Sequence, residues 1–174
     1  VASTKAHTSQ IVLLIMIAIY FAEVLGKDSK ELLELKKELL ELPKQIEQCL
    51  TLADTVKEFA HKIYQEKDVF FIGRGVDEVV AKEASLKLKE ISYIHSESYA
   101  AGELKHGAIA LIEKGVTVVG IITDPSLVEK TVSNLQEVIT RGAKTFIVTN
   151  QKIDKTMFDV VVEVPETNPF LSPV

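Results

Sequence analysis

From residue 68 onward the sequence alternates short apolar segments with amphipathic stretches, and this alternation most restricts the folds open to the chain. Helical patterns cover residues 77–91 and 126–141. The apolar segments between and around them are VFFIG, VTVVGIIT, KTFIVTN and FDVVVEVP. Unbroken β-branched and aromatic segments with intervening helices are typical of a parallel sheet covered on both faces. We therefore predict an α/β fold, a three-layer sandwich with a mainly parallel sheet, preceded by helices.

Three helices are predicted before the first strand. The first contains the apolar segment 11–22, and Asp28 and Ser29 are candidate caps for the second. Leucines at spacings of three or four give the second helix one apolar face. Pro43 is expected to end it, because proline lacks the N–H that a helix interior requires. A third helix is predicted over residues 44–65, and all three are expected to serve core packing.

Composition excludes several classes of function. The 174 residues carry a net charge of −5, which argues against a nucleic-acid partner, since such proteins neutralise phosphates with clustered lysine and arginine. The segment 11–22 falls short of the about 20 apolar residues that span a bilayer, so we predict a buried helix and no membrane association. Cys49 is the single cysteine, which excludes a disulfide framework and suggests a reducing, cytoplasmic location.

The polar residues that could carry chemistry are concentrated after residue 82. Glu83, Lys87 and Glu90 are spaced three and four apart, so they lie on neighbouring surface of a helix. Spacing alone leaves two interpretations open, an exposed ladder of ion pairs or a carboxylate base with an assisting cation. His95 and Glu97 are close in sequence, but further ligands at suitable spacing are missing, so no metal is predicted.

Ligands of a parallel sheet bind at the carboxyl ends of its strands, which here are the loops after Gly73, Thr123 and Asn150. The turn at residues 73–75 could attract phosphate, but Glu78 stands where a dinucleotide fingerprint needs its third glycine, so NAD is not expected. The turn at residues 123–126 contains an aspartate that would repel phosphate and a proline that lacks a donor. No cofactor is predicted.

Four segments together resemble one known family. They are VASTKA at residues 1–6, FFIGRG at 70–75, KLKEISYIHSE at 87–97 and AGELKHG at 101–107. The chain resembles the isomerase half of the glutamine:fructose-6-phosphate amidotransferases (glucosamine-6-phosphate synthases), which is built from two sugar isomerase (SIS) domains. The resemblance covers essentially all 174 residues. It implies that residues 1–26 are the closing helix of a preceding, missing SIS domain, and that residues 27–174 are a second SIS domain truncated at its C-terminal end.

The resemblance also implies roles for individual residues. Glu90 would be the base of the aldose–ketose step and Lys87 would assist it. His106 would be the acid and base of ring opening, reaching into the active site of a partner subunit, which implies a homodimer. Val1 and Ser3 would line the sugar pocket, although Ser3 could equally be a helix cap. Ala108 stands where the family usually has proline, a departure that leaves the histidine in place.

By this resemblance, the chain would bind fructose-6-phosphate and convert the C2-aminated ketose to glucosamine-6-phosphate. Ammonia would come from a glutaminase domain, and the phosphate would be held mainly by the first SIS domain, so the isolated chain is expected to be inactive. Two alternatives stay open. One is a glutamine-independent sugar-phosphate deaminase or deglycase, which an upstream glutaminase domain would exclude. The other is a non-catalytic SIS module that senses a sugar phosphate.

Overall fold

A five-stranded parallel sheet is the centre of the computed structural model, which describes residues 2–27 and 29–174. Its strands are β1 (Asp68–Gly73), β2 (His95–Ala100), β3 (Thr117–Ile122), β4 (Lys144–Thr149) and β5 (Val160–Glu163). They lie in the order β2-β1-β3-β4-β5, and each neighbouring pair is parallel. The strand order therefore reverses at β1, because β2 lies on one side of it and β3 on the other. This sheet confirms the predicted α/β fold class.

Helices precede the sheet and cover both of its faces. The α-helices are α1 (Thr4–Val24), α2 (Lys30–Leu50), α3 (Ala53–Ile63), α4 (Val76–Ser92) and α5 (Val128–Thr140). Three 3₁₀ helices are η1 (Ala101–His106), η2 (Ala108–Leu111) and η3 (Lys155–Met157). The observed α4 and α5 match the two predicted helices of the alternating region to within two residues at each end.

The core has two layers because the side chains of a strand alternate between its faces. Val69 and Phe71 of β1 pack with α3 and α4, whereas Phe70 and Ile72 pack with α5 and η1. All four side chains are buried. Burial on both faces explains why the central strands lack polar alternation, as the sequence predicts for a covered parallel sheet.

The prediction that Pro43 ends the second helix is wrong, because α2 continues through it to Leu50. Residues on either side of the proline are held by the fold. Leu42 is buried, and Gln45 Nε2 donates to the carbonyl of Glu166, in the C-terminal segment, at 3.0 Å. Such contacts offset the about 3 kcal/mol that an internal proline costs a helix.

The structure tests one of the two predicted caps of α2. Ser29 is the N-cap, and its hydroxyl accepts a hydrogen bond from the N–H of Leu32 at 3.2 Å, which confirms that candidate. Asp28, the other candidate cap, lies outside the described residues. The third helix, predicted to begin at residue 44, begins instead at Ala53, after α2 ends.

Strand β2 is absent from the sequence prediction, which assigns no helix or strand to this segment. Its sequence, HSESYA, is polar, yet it pairs with β1 along its whole length. It is an edge strand, and edge strands carry polar residues because one side has no neighbouring strand. Ser96 is nevertheless buried, with its hydroxyl 2.7 Å from that of Ser85 on α4.

Helix α1 is largely exposed within this chain, contrary to the expectation of a buried helix. Among its residues only Ile19 is buried. The helix has 21 residues, and an 18-residue window within it has a mean hydropathy of 1.6, so by length and composition alone it could cross a membrane. Its polar contacts lie at both ends, His7 with Glu83 of α4 and Glu23 with Lys36 of α2.

Candidate active site

The predicted pair of Lys87 and Glu90 lies in the last turns of α4. This helix starts just after the carboxyl end of β1 and must return to the start of the parallel strand β2. Lys87 and Glu90 therefore lie toward the amino ends of the strands. The pair is not at the carboxyl ends, which is where the fold class alone directs attention.

Lys87 and Glu90 form a close ion pair on a partly open surface. Lys87 Nζ lies 2.6 Å from Glu90 Oε2 and 3.5 Å from Glu83 Oε1. The Glu90 side chain is 36% exposed, and that of Lys87 is 19% exposed. A solute can therefore reach the carboxylate while the ammonium is held between two acids.

This contact stabilises the charged form of both groups. The hydrogen bond from the Lys87 ammonium lowers the pKa of Glu90 below its ordinary value. The same hydrogen bond raises the pKa of Lys87. At neutral pH the site thus presents a carboxylate that can accept a proton and a cation that can donate to a substrate oxygen.

The first turn of α1 brings a fourth polar group to the cluster of Glu83, Lys87 and Glu90. His7 Nδ1 lies 3.6 Å from Glu83 Oε1, so α1 begins beside the acids of α4. The sequence alone indicates only a structural role for His7, because this residue lies within a helical pattern. Its neighbourhood with Glu83 was not evident because the two residues are far apart in the chain and belong to different helices.

Ser3 lies one turn before His7 and shares its side of the helix. It occupies the N-cap position, and its carbonyl accepts from the N–H of His7 at 3.0 Å. Ser3 is thus the cap residue by position, although its hydroxyl makes no capping hydrogen bond. A role in lining a sugar pocket stays a prediction. Val1, the other predicted pocket residue, lies outside the described residues.

His106 is placed far from the Lys87–Glu90 pair within the protomer. It is the last residue of η1, which follows the carboxyl end of β2, whereas α4 leads into the amino end of that strand. Six residues of strand span about 20 Å. The His106 side chain is exposed, and in the part of the chain that the structure describes it has no hydrogen-bond or ion-pair partner. The fold of this chain therefore does not bring the predicted catalytic residues together.

The turn at residues 123–126, at the carboxyl end of β3, is occupied by the chain's own carboxylates. Asp77, in the first turn of α4, is buried and accepts hydrogen bonds from the N–H of Thr123 at 2.8 Å and from its hydroxyl. Asp124 accepts from the N–H of Ser126 at 2.9 Å. These donors are therefore not available to a phosphate. The sequence interpretation missed Asp77, whose one signal is an acid at the start of a helix.

Acidic and histidine side chains do not gather into a metal-binding arrangement in residues 2–27 and 29–174. His95 Nδ1 lies 2.7 Å from Asp68 Oδ1 and its Nε2 lies 3.7 Å from Glu97 Oε1. The contact with Asp68 joins the edge strand β2 to β1, whereas the contact with Glu97 lies within β2. His95 and Glu97 thus belong to a surface network of ionisable groups.

Comparison with known proteins identifies relatives along the whole chain. The model of the SIS domain family matches residues 62–163. A glutamine–fructose-6-phosphate aminotransferase (isomerizing) from Clostridium perfringens is 51% identical over 179 aligned positions, and one from Thermococcus kodakarensis is 43% identical over 175. Each alignment includes 100% of this chain and 29% of the relative. The chain thus spans less than a third of the length of these relatives.

Solved structures show the same architecture. The C-terminal domain of glucosamine-fructose-6-phosphate aminotransferase from Francisella tularensis superposes with a TM-score of 0.92 at 34% identity. That match covers 99% of this chain and 50% of the other. A glucosamine-6-phosphate deaminase from Thermotoga maritima reaches a TM-score of 0.52 at 20% identity, over 91% of this chain and 46% of its own, which shows similarity of fold alone. The resemblance drawn from the sequence motifs is confirmed, and the chain belongs to the SIS domain family.

Proposed function

We propose that this chain is the second SIS domain of a glucosamine-6-phosphate synthase and carries its isomerase residues. The substrate would be fructose-6-phosphate, aminated at C2 and then isomerised to glucosamine-6-phosphate. Relatives named glutamine–fructose-6-phosphate aminotransferase (isomerizing) support this over the full chain. The observation that carries the proposal is the Glu90 carboxylate, held ionised by Lys87 on a surface that solutes can reach.

The isomerisation needs one proton to move between adjacent carbons. The aminated ketose carries a C=N bond at C2 and a hydroxymethyl group at C1. Glu90 would take a proton from C1 while the imine nitrogen gains a proton, leaving a C1=C2 double bond and an amino group at C2. Return of the proton from Glu90 to C2, with loss of the C1 hydroxyl proton, would then give the aldehyde at C1 and the amino sugar. Lys87, 2.6 Å from Glu90, is placed to donate a hydrogen bond to a substrate oxygen during this transfer.

Ring opening would require a second protomer. His106 lies beyond the opposite end of β2 from Glu90, so within one chain it does not reach the sugar held there. A homodimer in which His106 serves the partner's Glu90 accounts for both positions. The complete enzyme would also need a first SIS domain for the phosphate and a glutaminase domain for ammonia, which are the remaining proposed partners.

Helix α1 would pack against the first SIS domain, and the enzyme would be cytoplasmic. The ion pairs of His7 with Glu83 and of Glu23 with Lys36 support this placement, because they hold both ends of α1 along the domain. A helix that crossed a membrane would bring these charged residues and the faces of α2 and α4 against hydrocarbon. Burial of charges there is costly.

Deuterium exchange in the full-length protein tests the assignment of Glu90. Fructose-6-phosphate would be incubated in D₂O with the wild type, with Glu90→Gln, and with Glu78→Gln as matched control. Glu78 also pairs with a lysine of α4, since Lys82 Nζ lies 2.6 Å from its Oε1. We expect proton NMR to show deuterium entering beside the carbonyl in the wild type and the control, and its loss in Glu90→Gln.

The same experiment separates the alternatives. If all three proteins bind the sugar phosphate without exchange, the chain is part of a sensing module and the assignment of Glu90 is wrong. If exchange is normal but added glutamine supplies no nitrogen to the sugar, the protein is a deaminase or deglycase and not a synthase.

A further inference from the structure

Arg74 supports the segment that carries His106. It stands in the turn between β1 and α4, at the point where the strand order reverses. Its Nε and Nη2 donate to Asn134 Oδ1 at 3.1 and 3.0 Å. Asn134 belongs to α5 and is itself buried. The guanidinium group is therefore fixed in one orientation by two hydrogen bonds to one rigid helix.

The backbone of η1 rests on this guanidinium group. A Cβ added to Gly102 would lie 2.7 Å from Arg74 Nη2 and 3.2 Å from Arg74 Cζ. These distances are below normal contact, so residue 102 must be glycine while Arg74 keeps its position. Arg74 thus packs against the backbone of η1 and limits how closely this helix approaches α5.

The rest of η1 is anchored to the same protomer. Ala101 and Leu104 are buried, and Lys105 Nζ lies 2.7 Å from Glu137 Oε1 of α5. The imidazole of His106, the next residue, points to no partner among residues 2–27 and 29–174. Contacts with Arg74 and with Glu137 therefore hold the segment, while His106 at its end is exposed.

We propose that Arg74, fixed by Asn134, is a positioning residue for His106, and this rests on the proposed function of His106 in the partner's site. A catalytic group gains from being held in place before the substrate arrives, since small misplacements cost large factors in rate. A role for Arg74 as a ligand of the substrate fits less well. One edge of its guanidinium group is bonded to Asn134 and its face is covered by Gly102.

Heterodimers of the full-length protein, purified through two different tags, test this positioning role. Arg74→Met would be placed either on the same chain as Glu90→Gln, opposite a wild-type chain, or on the chain opposite Glu90→Gln. Both dimers contain the same two substitutions. In the first dimer the remaining intact Glu90 lies on the unaltered chain and is served by the His106 of the altered one; in the second it shares its chain with Arg74→Met and is served by a His106 whose Arg74 is intact.

We expect the dimer with separated substitutions to keep about half of the wild-type deuterium exchange. The dimer with both on one chain should fall roughly tenfold to a hundredfold below it. A general folding defect would lower both dimers equally, and equal activities in the two arrangements would overturn the proposal. Arg141→Met is the matched control, because Arg141 is the other arginine of the chain and is exposed at the end of α5.

Parallel dimers with His106→Ala in place of Arg74→Met separate the two proposals. If His106→Ala shows the asymmetry and Arg74→Met does not, only the role of Arg74 is wrong. If His106→Ala has no effect, the function of His106 fails and the positioning role fails with it. If the Arg74→Met protein does not assemble, Gly102→Ala can replace it, because an added methyl group would displace η1 from Arg74. We expect the same difference in activity between the two dimers. Equal activities would again refute the positioning role.

Discussion

The Lys87 ammonium lies 2.6 Å from Glu90 Oε2, one turn apart on α4, and this contact favours the ionised form of the candidate base. It lowers the pKa of Glu90 and raises that of Lys87, so each group stabilises the charged form of the other. The two residues belong to one helix, so their spacing does not depend on a loop. The pair is thus available as a preformed acid and base before substrate arrives.

Substitution of Lys87 should move the titration of Glu90. The pKa of Glu90 lies below its ordinary value of 4.5, so the carboxylate persists as the pH falls through 4.5. Lys87→Met removes the hydrogen bond and the cation, and the midpoint should rise. Carbon-13 NMR of the glutamate side-chain carboxyl groups would measure it, with Glu90→Gln assigning the signal. An unchanged midpoint would show that Lys87 does not control the ionisation of Glu90.

Loss of the Asp77 carboxylate should destabilise the domain. Asp77 accepts from the N–H of Thr123 at 2.8 Å and from its hydroxyl, and all of these groups are buried. Asp77→Ala leaves the donors without acceptors, for an expected cost of about 2 to 4 kcal/mol of unfolding free energy. Urea unfolding followed by circular dichroism would measure it.

Asp154 provides the matched control for that experiment. It also accepts from the N–H and hydroxyl of a threonine, Thr156, at 3.0 and 2.6 Å, but at the exposed start of η3. Asp154→Ala should cost only about 1 kcal/mol, because water replaces the lost acceptor. Equal losses of unfolding free energy in the two variants would mean that burial of the Asp77 carboxylate does not increase its contribution to stability.

Gly73→Ala should be among the most disruptive small substitutions in the chain. An added Cβ would lie 2.5 Å from the backbone C and O of Asp77, atoms that cannot move without shifting α4. We expect a cost of about 3 kcal/mol. Gly26→Ala is a suitable comparison, because its φ of +65° disfavours alanine although nothing lies within 4 Å. That change should cost about 1 kcal/mol, and a similar loss in both would refute the steric explanation.

The sequence predicted the parts of the fold that bury continuous apolar surface. β1, β3 and β4 are covered on both faces, so their apolar segments were clear, and α4 and α5 follow from their periodicity. β2 was not predicted because an edge strand can be polar, and its pairing with β1 depends on contacts distant in sequence. The course of α2 through Pro43 likewise depends on packing against Glu166, which no local pattern reveals.

The candidate site was only partly predictable for a related reason. Lys87 and Glu90 are neighbours on one helix, so their contact follows from spacing alone. The approach of His7 to Glu83, and of Arg74 to Gly102, joins different elements and requires the packed fold. The sequence did not show that His106 and Glu90 lie beyond opposite ends of β2, because that strand was itself not recognised.

The 174-residue chain by itself should not isomerise fructose-6-phosphate. Glu90 is intact and open to solvent, but the donors of the turn at residues 123–126 are taken by Asp77 and Asp124, which leaves no phosphate grip there. Binding energy from the phosphate is what a sugar-phosphate enzyme uses to hold the reacting carbons in place. Proton NMR in D₂O would follow exchange beside the carbonyl, with Glu90→Gln as the blank. Exchange by the chain alone, lost in Glu90→Gln, would show that this domain carries its own sugar-phosphate site and that a first SIS domain is not needed for catalysis.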